Sequence, residues 1–337
     1  MRESSVATSL VADVVGYLER QGLTAETVCR AAGIDPDLLA QPDARLPGSL
    51  MERLWAEGER LTGDPDLGLH TAEACNPGAL DIVGYVVLSC RTVAEALDRL
   101  GRFAALLNDG LQVEITREGD RTVCRFEAVE RLDNYLVRHP RQAMEAMAAG
   151  IAVTTRRLTE TSIEPLEITF RHEAPPSIRE HLRLLGPLVR FGQPENRIAF
   201  RTADLAATVR SSNPALLAAF DQHAEALLHR LLQHGPVSRR VLQALGSRLK
   251  GVVPALRQVA RDIAMSDRSL QRALRDEGTS FQRLLDEARH ELAIGHLSVP
   301  GTSAAEVAFL LGFSEPSTFS RAFLRWTGMT PGEYRDR

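Results

Sequence analysis

The stretches VARDIAMS (residues 259–266) and VAFLLGFS (residues 307–314) share one pattern near the C-terminus and lie 48 residues apart. Each is followed by a second pair of similar stretches, SLQRAL (269–274) and TFSRAF (318–323), which are offset by 49 residues. Apolar residues three and four apart within each stretch are typical of amphipathic helices. The sequence therefore predicts a structural repeat in which a short helix, a tight turn and a second helix occur twice.

The two repeats also share a closing glycine and an arginine. Gly278 and Gly328 end the two units, and Arg272 and Arg321 occupy the same place on each second helix. A short helix, a turn and a second helix carrying exposed basic residues is the layout of a helix-turn-helix unit that binds the major groove. Two such units in tandem predict binding to double-stranded DNA.

The length and composition are those of a soluble protein with two domains. The chain has 337 residues, and no apolar run reaches the roughly 20 residues that span a bilayer. The N-terminus lacks the apolar segment of a signal peptide, so we expect a cytoplasmic protein without membrane contact. The cysteines Cys29, Cys75, Cys90 and Cys124 form no CxxC pair, and we expect reduced thiols with no metal and no cofactor.

Charge is unevenly distributed along the chain. The net charge is -4, yet residues 236–337 hold 15 Lys and Arg against 11 Asp and Glu. The excess positive charge thus falls on the segment that contains the repeat, as a surface that binds phosphates requires.

Residues 1–210 mix helical and strand patterns. Alternating apolar residues predict strands at 111–117 and 122–129, and Glu118, Gly119 and Asp120 between them predict a hairpin turn. We expect an α+β domain with a small antiparallel sheet. The predicted helices lie at 4–20, 49–61, 93–107 and 133–158, and further strands at 166–171 and 197–201.

A connecting segment, residues 211–235, follows this domain. A helix predicted from Asn213 to about Gln233 carries an apolar stripe of Leu217, Phe220, Ala224, Leu227 and Leu231. The stripe is either a dimer seam or the face that docks onto the helix's own domain. The sequence QHGP at 233–236 ends the helix, and we expect an all-α domain with two helix-turn-helix units over residues 236–337.

The first unit places polar and apolar residues on opposite faces of its second helix. Leu270, Ala273 and Leu274 should pack on Val259 and Ile263, with Ser266 as the N-cap. Arginine can pair with guanine and glutamine with adenine, each worth roughly 1–3 kcal/mol of discrimination. The predicted DNA-facing residues are Arg268, Gln271, Arg272 and Arg275.

The second helix-turn-helix unit has the same layout but fewer side chains that can distinguish one base from another. Ser303 and Ser314 are the predicted N-caps, and Gly312 occupies the turn. Phe319, Ala322 and Phe323 form the predicted buried face. Because Arg321 is the one strong base-reading candidate here, we expect the first unit to discriminate more. The predicted DNA-facing residues are Ser317, Thr318, Arg321 and Arg325.

A helix predicted at 281–297 joins the two units. Its amphipathic pattern, FQRLLDEARHELAIGHL, suits a connection of fixed length. If both second helices enter one face of the DNA, they lie about one turn apart, roughly 34 Å.

Residues 238–337 resemble the DNA-binding domain of the AraC/XylS family of bacterial transcription regulators. The segment GFSEPSTFSRAFLRWTGMTPGEYR (312–335) carries the most specific part of the likeness. The resemblance implies base contacts by Arg268 and Arg272 in the first unit and by Ser317 and Arg321 in the second. It also implies activation of transcription through RNA polymerase. The sequence departs from the family at Ala264, where a glycine is common in the turn.

The N-terminal part resembles the arabinose-binding-type domain of the same family. The segments PDARLP (42–47), TGDPDLGL (62–69), LVRFGQPENRIAF (188–200) and NPALL (213–217) carry this likeness. It implies a homodimer that responds to a small-molecule effector, of a kind that varies within this branch of the family. Weak candidates for holding an anionic effector are His139, Arg141, Arg171 and His172, for which structural roles are the alternative.

Three further patterns are weaker. Residues 23–39 suit either a third helix-turn-helix unit or, more simply, a helical hairpin. His223, His229 and His234 are not spaced to share one helix face, so no metal site is expected. A DNA-repair enzyme fused to the same DNA-binding domain would need an activated cysteine, and none of the four has such a context. We therefore expect no enzyme, although a domain that only dimerises remains an alternative to a sensor.

Overall fold

The computed structural model describes residues 3–41, 44–130, 132–160, 162–233, 237–249, 251, 253–297, 302–313 and 315–335. The chain divides into two compact units, Met1–Leu228 and His229–Arg337.

The first of these units, Met1–Leu228, contains α-helices and a small five-stranded sheet. Several begin at a side-chain cap: Thr24 Oγ1 accepts from the Thr27 amide and Thr92 Oγ1 from the Glu95 amide, both at 3.2 Å. The helices are α1 Thr8–Arg20, α2 Ala25–Ala32, α3 Pro36–Leu39, α4 Gly48–Thr62, α5 Leu67–Ala74, α6 Asp81–Ser89, α7 Val93–Leu107, α8 Tyr135–Arg138, α9 Arg141–Leu158 and α10 Arg179–Leu185.

The single helix predicted at 133–158 is wrong, because the structure has two helices there. α8 ends at Arg138 and α9 begins at Arg141, with Pro140 between them. Proline has no amide hydrogen to donate and disfavours a helical residue before it, and His139 accordingly has φ -134°. Residues 23–39 form the helical hairpin α2–α3. The helix α2 ends at Gly33, which has a left-handed conformation with φ +71°.

The five-stranded sheet confirms the predicted hairpin and the predicted α+β class. Its order is β3-β4-β7-β5-β6, and Glu118 pairs with Arg121 across a turn in which Gly119 has φ +61°. The pairings are antiparallel except that β5 and β6 are parallel. The strands are β3 Leu111–Glu118, β4 Arg121–Ala128, β5 Glu167–Thr169, β6 Val189–Arg190 and β7 Arg197–Arg201.

A second, two-stranded sheet was not predicted. β1 Ser5–Ala7 pairs antiparallel with β2 Arg45–Pro47. Three residues are too few to show an alternating pattern, and β1 runs directly into α1, so the sequence predicted one helix from residue 4.

The helix α11, Pro214–Gln233, docks onto its own unit with the apolar stripe that the sequence predicted. Leu217 and Ala224 are buried, and the Phe220 ring lies 5.4 Å from that of Tyr85 on α6. The Arg99 Nε on α7 donates to Asp221 Oδ1 at 2.8 Å. Of the two alternatives for this stripe, docking onto the helix's own domain is the one that these contacts support.

The second unit is helical, with no strand in its described part. Two apolar cores divide it: Val241, Leu245, Val259, Leu270, Leu274, Leu284 and Leu285 belong to the first, and Ala293, Leu297, Val307, Leu311, Phe319 and Phe323 to the second. The helices are α12 Val237–Arg248, α13 Leu256–Asp262, α14 Asp267–Asp276, α15 Phe281–Leu297, α16 Ala304–Leu310, α17 Pro316–Thr327 and α18 Pro331–Arg335.

Each helix-turn-helix unit turns through a residue with positive φ. Ala264 has φ +55° after α13, and Gly312 has φ +71° after α16. The predicted caps Ser266 and Ser303 are confirmed, since each hydroxyl accepts an amide three residues on, at 3.1 and 3.2 Å. The predicted cap Ser314 lies outside the described residues, and Glu315 takes the N-cap position of α17.

Ala264→Gly should preserve or raise stability. A left-handed conformation costs a non-glycine residue about 1–2 kcal/mol, while glycine adds about 0.5–1 kcal/mol of unfolded-state entropy. We expect a rise of at most about 1 kcal/mol in the free energy of unfolding, measured by denaturant melts. Gly312→Ala is the matched control and should lower it by a similar amount. A clear loss of stability in Ala264→Gly would contradict this account.

Candidate nucleic-acid interface and effector cavity

The predicted DNA-facing side of α14 is exposed. Leu270 and Leu274 are buried against Val259 and Ile263, which confirms the predicted packing face, while Ala273 is half-buried. Within the described part of the chain, the side chains on the opposite face make no hydrogen bond or ion pair, so their donors are free for a ligand. These side chains are Arg268, Gln271, Arg272 and Arg275.

The corresponding face of α17 is also exposed but is partly engaged. Ser317 Oγ donates to Glu315 Oε2 at 3.2 Å, and Arg325 Nη2 lies 3.6 Å from Asp286 Oδ2 on α15. Thr318 and Arg321 are exposed as well. The buried face of Phe319, Ala322 and Phe323 is confirmed.

A nearly buried arginine on α15 holds the turn of the second unit. Arg289, 9% exposed, donates from Nε to the Leu311 carbonyl at 3.0 Å and from Nη2 to the Gly312 carbonyl at 3.3 Å. Its guanidinium carbon lies 4.2 Å from the centre of the Phe313 ring, in cation–π geometry. One side chain thus satisfies the carbonyls that α16 leaves open at its end.

In the first helix-turn-helix unit an arginine also holds the turn. Arg240 on α12 donates to the carbonyl of Ile263, at the end of α13. Arg240 and Arg289 are 49 residues apart, the same offset as the helix repeats. Each helix-turn-helix unit is therefore part of a repeat of three helices, α12–α14 and α15–α17. The sequence analysis predicted α15 only as the connection between the units and did not assign α12. The signal was present as an arginine at the repeat spacing.

The four weak effector candidates do not form one site. His139 is exposed, with Nε2 3.4 Å from Glu52 Oε1, and Arg171 is exposed elsewhere. Arg141 and His172 both approach Glu145, at 3.1 and 3.5 Å from Oε1. The structure therefore places two of these residues in an ion network and the other two outside it.

That network surrounds a buried carboxylate on α9. The Glu145 and His181 side chains are fully buried, with Nε2 of His181 2.9 Å from Glu145 Oε1. Arg141 also contacts Asp66 at 3.0 Å. Ligand atoms of Asp66, Glu145 and His181 lie within 4.8 Å of one another, as in a metal site. Since Arg141 contacts both carboxylates, the arrangement favours an ion-pair network, and the absence of a metal stays a prediction.

Residues of the N-terminal unit, Met1–Leu228, line an apolar cavity of about 160 Å³. Helices α1, α4, α5, α6, α7 and α9 supply most of its wall, and His139, Arg141, Arg171 and His172 are not part of it. The wall includes Leu10, Asp13, Trp55, Thr71, Cys75, Val83, Val87, Val93, Leu97, Asn108, Tyr135, Met147, Gly150, Ile151 and Leu158.

The cysteines are free and unactivated. Cys29, Cys90 and Cys124 are buried and Cys75 is half-buried. Burial raises the pKa of Cys75, Cys90 and Cys124 to about 12, so these thiols stay protonated at neutral pH. No described helix is long and apolar enough to cross a membrane.

Two helix-turn-helix repeats with exposed basic second helices define a DNA-binding protein. Residues 22–209 match the family described as the arabinose-binding domain of AraC transcription regulators, and residues 259–337 match the helix-turn-helix domain. The chain belongs to the AraC family and is a DNA-binding transcriptional regulator.

Relatives cover nearly the whole chain. The ornithine utilization regulator of Pseudomonas aeruginosa is 30% identical over 94% of this chain and 91% of its own length. The regulator VirS of Mycobacterium tuberculosis is 27% identical over 91% and 89%. The crystal structure of the regulator CdpR from P. aeruginosa aligns with 93% of this chain and 96% of its own, at 22% identity and a TM-score of 0.43.

Arg289→Ala should destabilise the second helix-turn-helix unit. It leaves two carbonyls without their donor and removes the contact with Phe313, at a cost of about 1–3 kcal/mol. We expect a lower denaturation midpoint in urea. Arg283→Ala removes an exposed arginine from the same helix and should change stability by less than about 0.5 kcal/mol. Equal effects of the two variants would show that the buried arginine does not hold the turn.

Proposed function

We propose that α14 and α17 insert into successive major grooves of promoter DNA and that α14 reads most of the sequence. The observation that carries this proposal is the exposed row on α14, whose two strongest base-reading candidates are Arg268 and Arg272. Gln271 adds an adenine-reading group, and Arg275 at the end of the row suits a phosphate.

The second helix-turn-helix unit contributes fewer base contacts in this proposal. Arg325 is drawn towards Asp286, so its charge is partly neutralised before DNA binds. Arg321 is then the base-reading arginine of α17, with Ser317 and Thr318 as short, less selective neighbours.

We further propose that the N-terminal unit, Met1–Leu228, binds a small-molecule effector. The match to the arabinose-binding domain and the apolar cavity support this. An effector changes DNA binding only if it has different affinities for the arrangements that bind DNA well and poorly. The alternative, a domain that only dimerises, gives no role to the cavity.

The remaining features follow family membership. We propose a cytoplasmic homodimer that activates transcription together with RNA polymerase. The chain is proposed to be no enzyme: the matched domains and relatives are those of transcriptional regulators, and the protonated cysteines suit no repair reaction.

Arg272→Ala should weaken binding to the specific site and relax preference at one base position. The loss of a bidentate arginine–guanine pair costs about 1–3 kcal/mol. The operator is first selected from random duplexes with the full-length protein, and affinities for the selected and scrambled duplexes are then measured by fluorescence anisotropy.

The control is Arg230→Ala, which removes an equal charge from an exposed position on α11. It should leave the ratio of specific to scrambled affinity unchanged. If Arg272→Ala lowers both affinities equally, Arg272 contacts phosphate and not a base.

A further inference from the structure

We propose that the effector is a compact, mainly apolar molecule the size of one aromatic ring, with one or two hydrogen-bonding groups, and that it binds in the cavity beside α9. This inference rests on the proposed effector function and specifies its ligand. It excludes a sugar, despite the description of the matched domain.

The size of the cavity sets the size of the ligand. At about 160 Å³ it compares with an engineered protein cavity of about 150 Å³ that stays dry and binds benzene. The wall is mainly aliphatic, with Val83, Val87 and Val93 on one side and Ile151 and Leu158 on α9. Such a surface gains free energy by covering apolar atoms and offers nothing to hydroxyl groups.

Most polar groups of the wall already have partners in the protein. Asn108 Nδ2 donates to the Tyr135 hydroxyl at 3.2 Å, and Asn108 Oδ1 accepts from the Gly110 amide at 2.9 Å. Thr155 Oγ1 donates to the Ala152 carbonyl at 2.9 Å. Burial raises the pKa of the Asp13 carboxyl, which lies beside Cys75. The side chains of Asn108, Tyr135 and Thr155 are therefore engaged before a ligand arrives.

Thr71 and Trp55 are exceptions on the wall. The Thr71 Oγ1 and the Trp55 Nε1 are buried, and neither has a hydrogen-bond partner among the described residues. A buried hydroxyl without a partner is costly, and a ligand hydroxyl or amine in the cavity would relieve it. A sugar would leave most of its own hydroxyls unpaired against this apolar wall, since Thr71 and Trp55 can each serve only one of them.

Gly150 provides a way to fill the cavity from its wall. It lies within α9, and a Cβ at this position would meet no heavy atom within 4 Å. Gly150→Leu should therefore place a side chain in the ligand's space, since its Cβ has room. The matched control is Gly16→Leu on α1, which is not part of the wall and whose Cβ meets only the end of Arg20 at 3.8 Å.

The experiment measures thermal denaturation and titration calorimetry of the full-length protein with benzyl alcohol, toluene and L-arabinose. We expect benzyl alcohol and toluene to raise the melting temperature in a saturable way in the wild type and in Gly16→Leu. Gly150→Leu should abolish both shifts without a lower melting temperature of its own. Arabinose should have no effect on any variant.

Thr71→Val separates the polar group from the apolar wall. The affinity for benzyl alcohol should fall about 2- to 10-fold, the worth of one hydrogen bond, while that for toluene is retained. A merely structural role of Thr71 would change both affinities equally, and that result would overturn the assignment of the polar group.

Three other results would overturn the proposal. These are an arabinose shift that Gly150→Leu abolishes, apolar binding that Gly150→Leu leaves intact, and no binding of either apolar probe. Sequence-specific DNA binding is measured on the same samples. If it persists while the apolar probes fail, the ligand class is wrong and the DNA-binding function stands; if it is absent as well, the proposed function itself fails.

Discussion

One helix, α15, belongs to both hydrophobic cores of the DNA-binding unit, and the spacing of the two helix-turn-helix repeats depends on it. Leu284, Leu285 and Ala288 pack in the first core, while Ala293 and Leu297 pack in the second. From Leu284 to Leu297 a helix extends about 20 Å at 1.5 Å per residue. Because both cores are closed around one continuous helix, neither unit can shift along the other without exposing apolar side chains to water.

The arginines that reach back to the turns extend this constraint to the second helices. A turn residue with positive φ redirects the chain so that α14 and α17 can cross the preceding helix, but it leaves carbonyls at the helix end. Arg240 and Arg289 donate to those carbonyls from the first helix of each repeat. The third helix of each repeat is thereby held by the first through a polar contact as well as through the core.

The DNA-binding unit was predictable because its signals are local. The caps Ser266 and Ser303 and the turn at Gly312 each lie within a few residues of the helix that they begin or end. The first unit's cavity and ion network were not predictable, since Asp66, Glu145 and His181 meet only after folding. Closeness in sequence was also a poor guide to a shared site. His139 and Arg141 were grouped as effector candidates, but His139 contacts Glu52 and Arg141 contacts Asp66.

The helices α6 and α7 both line the cavity and contact α11. Val83, Val87 and Leu97 on α6 and α7 line the cavity, and the same two helices hold α11 through Tyr85 and Arg99. In the effector function proposed above, a ligand in the cavity contacts α6 and α7 directly through Val83, Val87 and Leu97. α11 continues beyond Leu228 into the sequence of the DNA-binding unit. In this proposed function, a ligand that prefers one placement of α6 and α7 therefore also favours one placement of α11 against them.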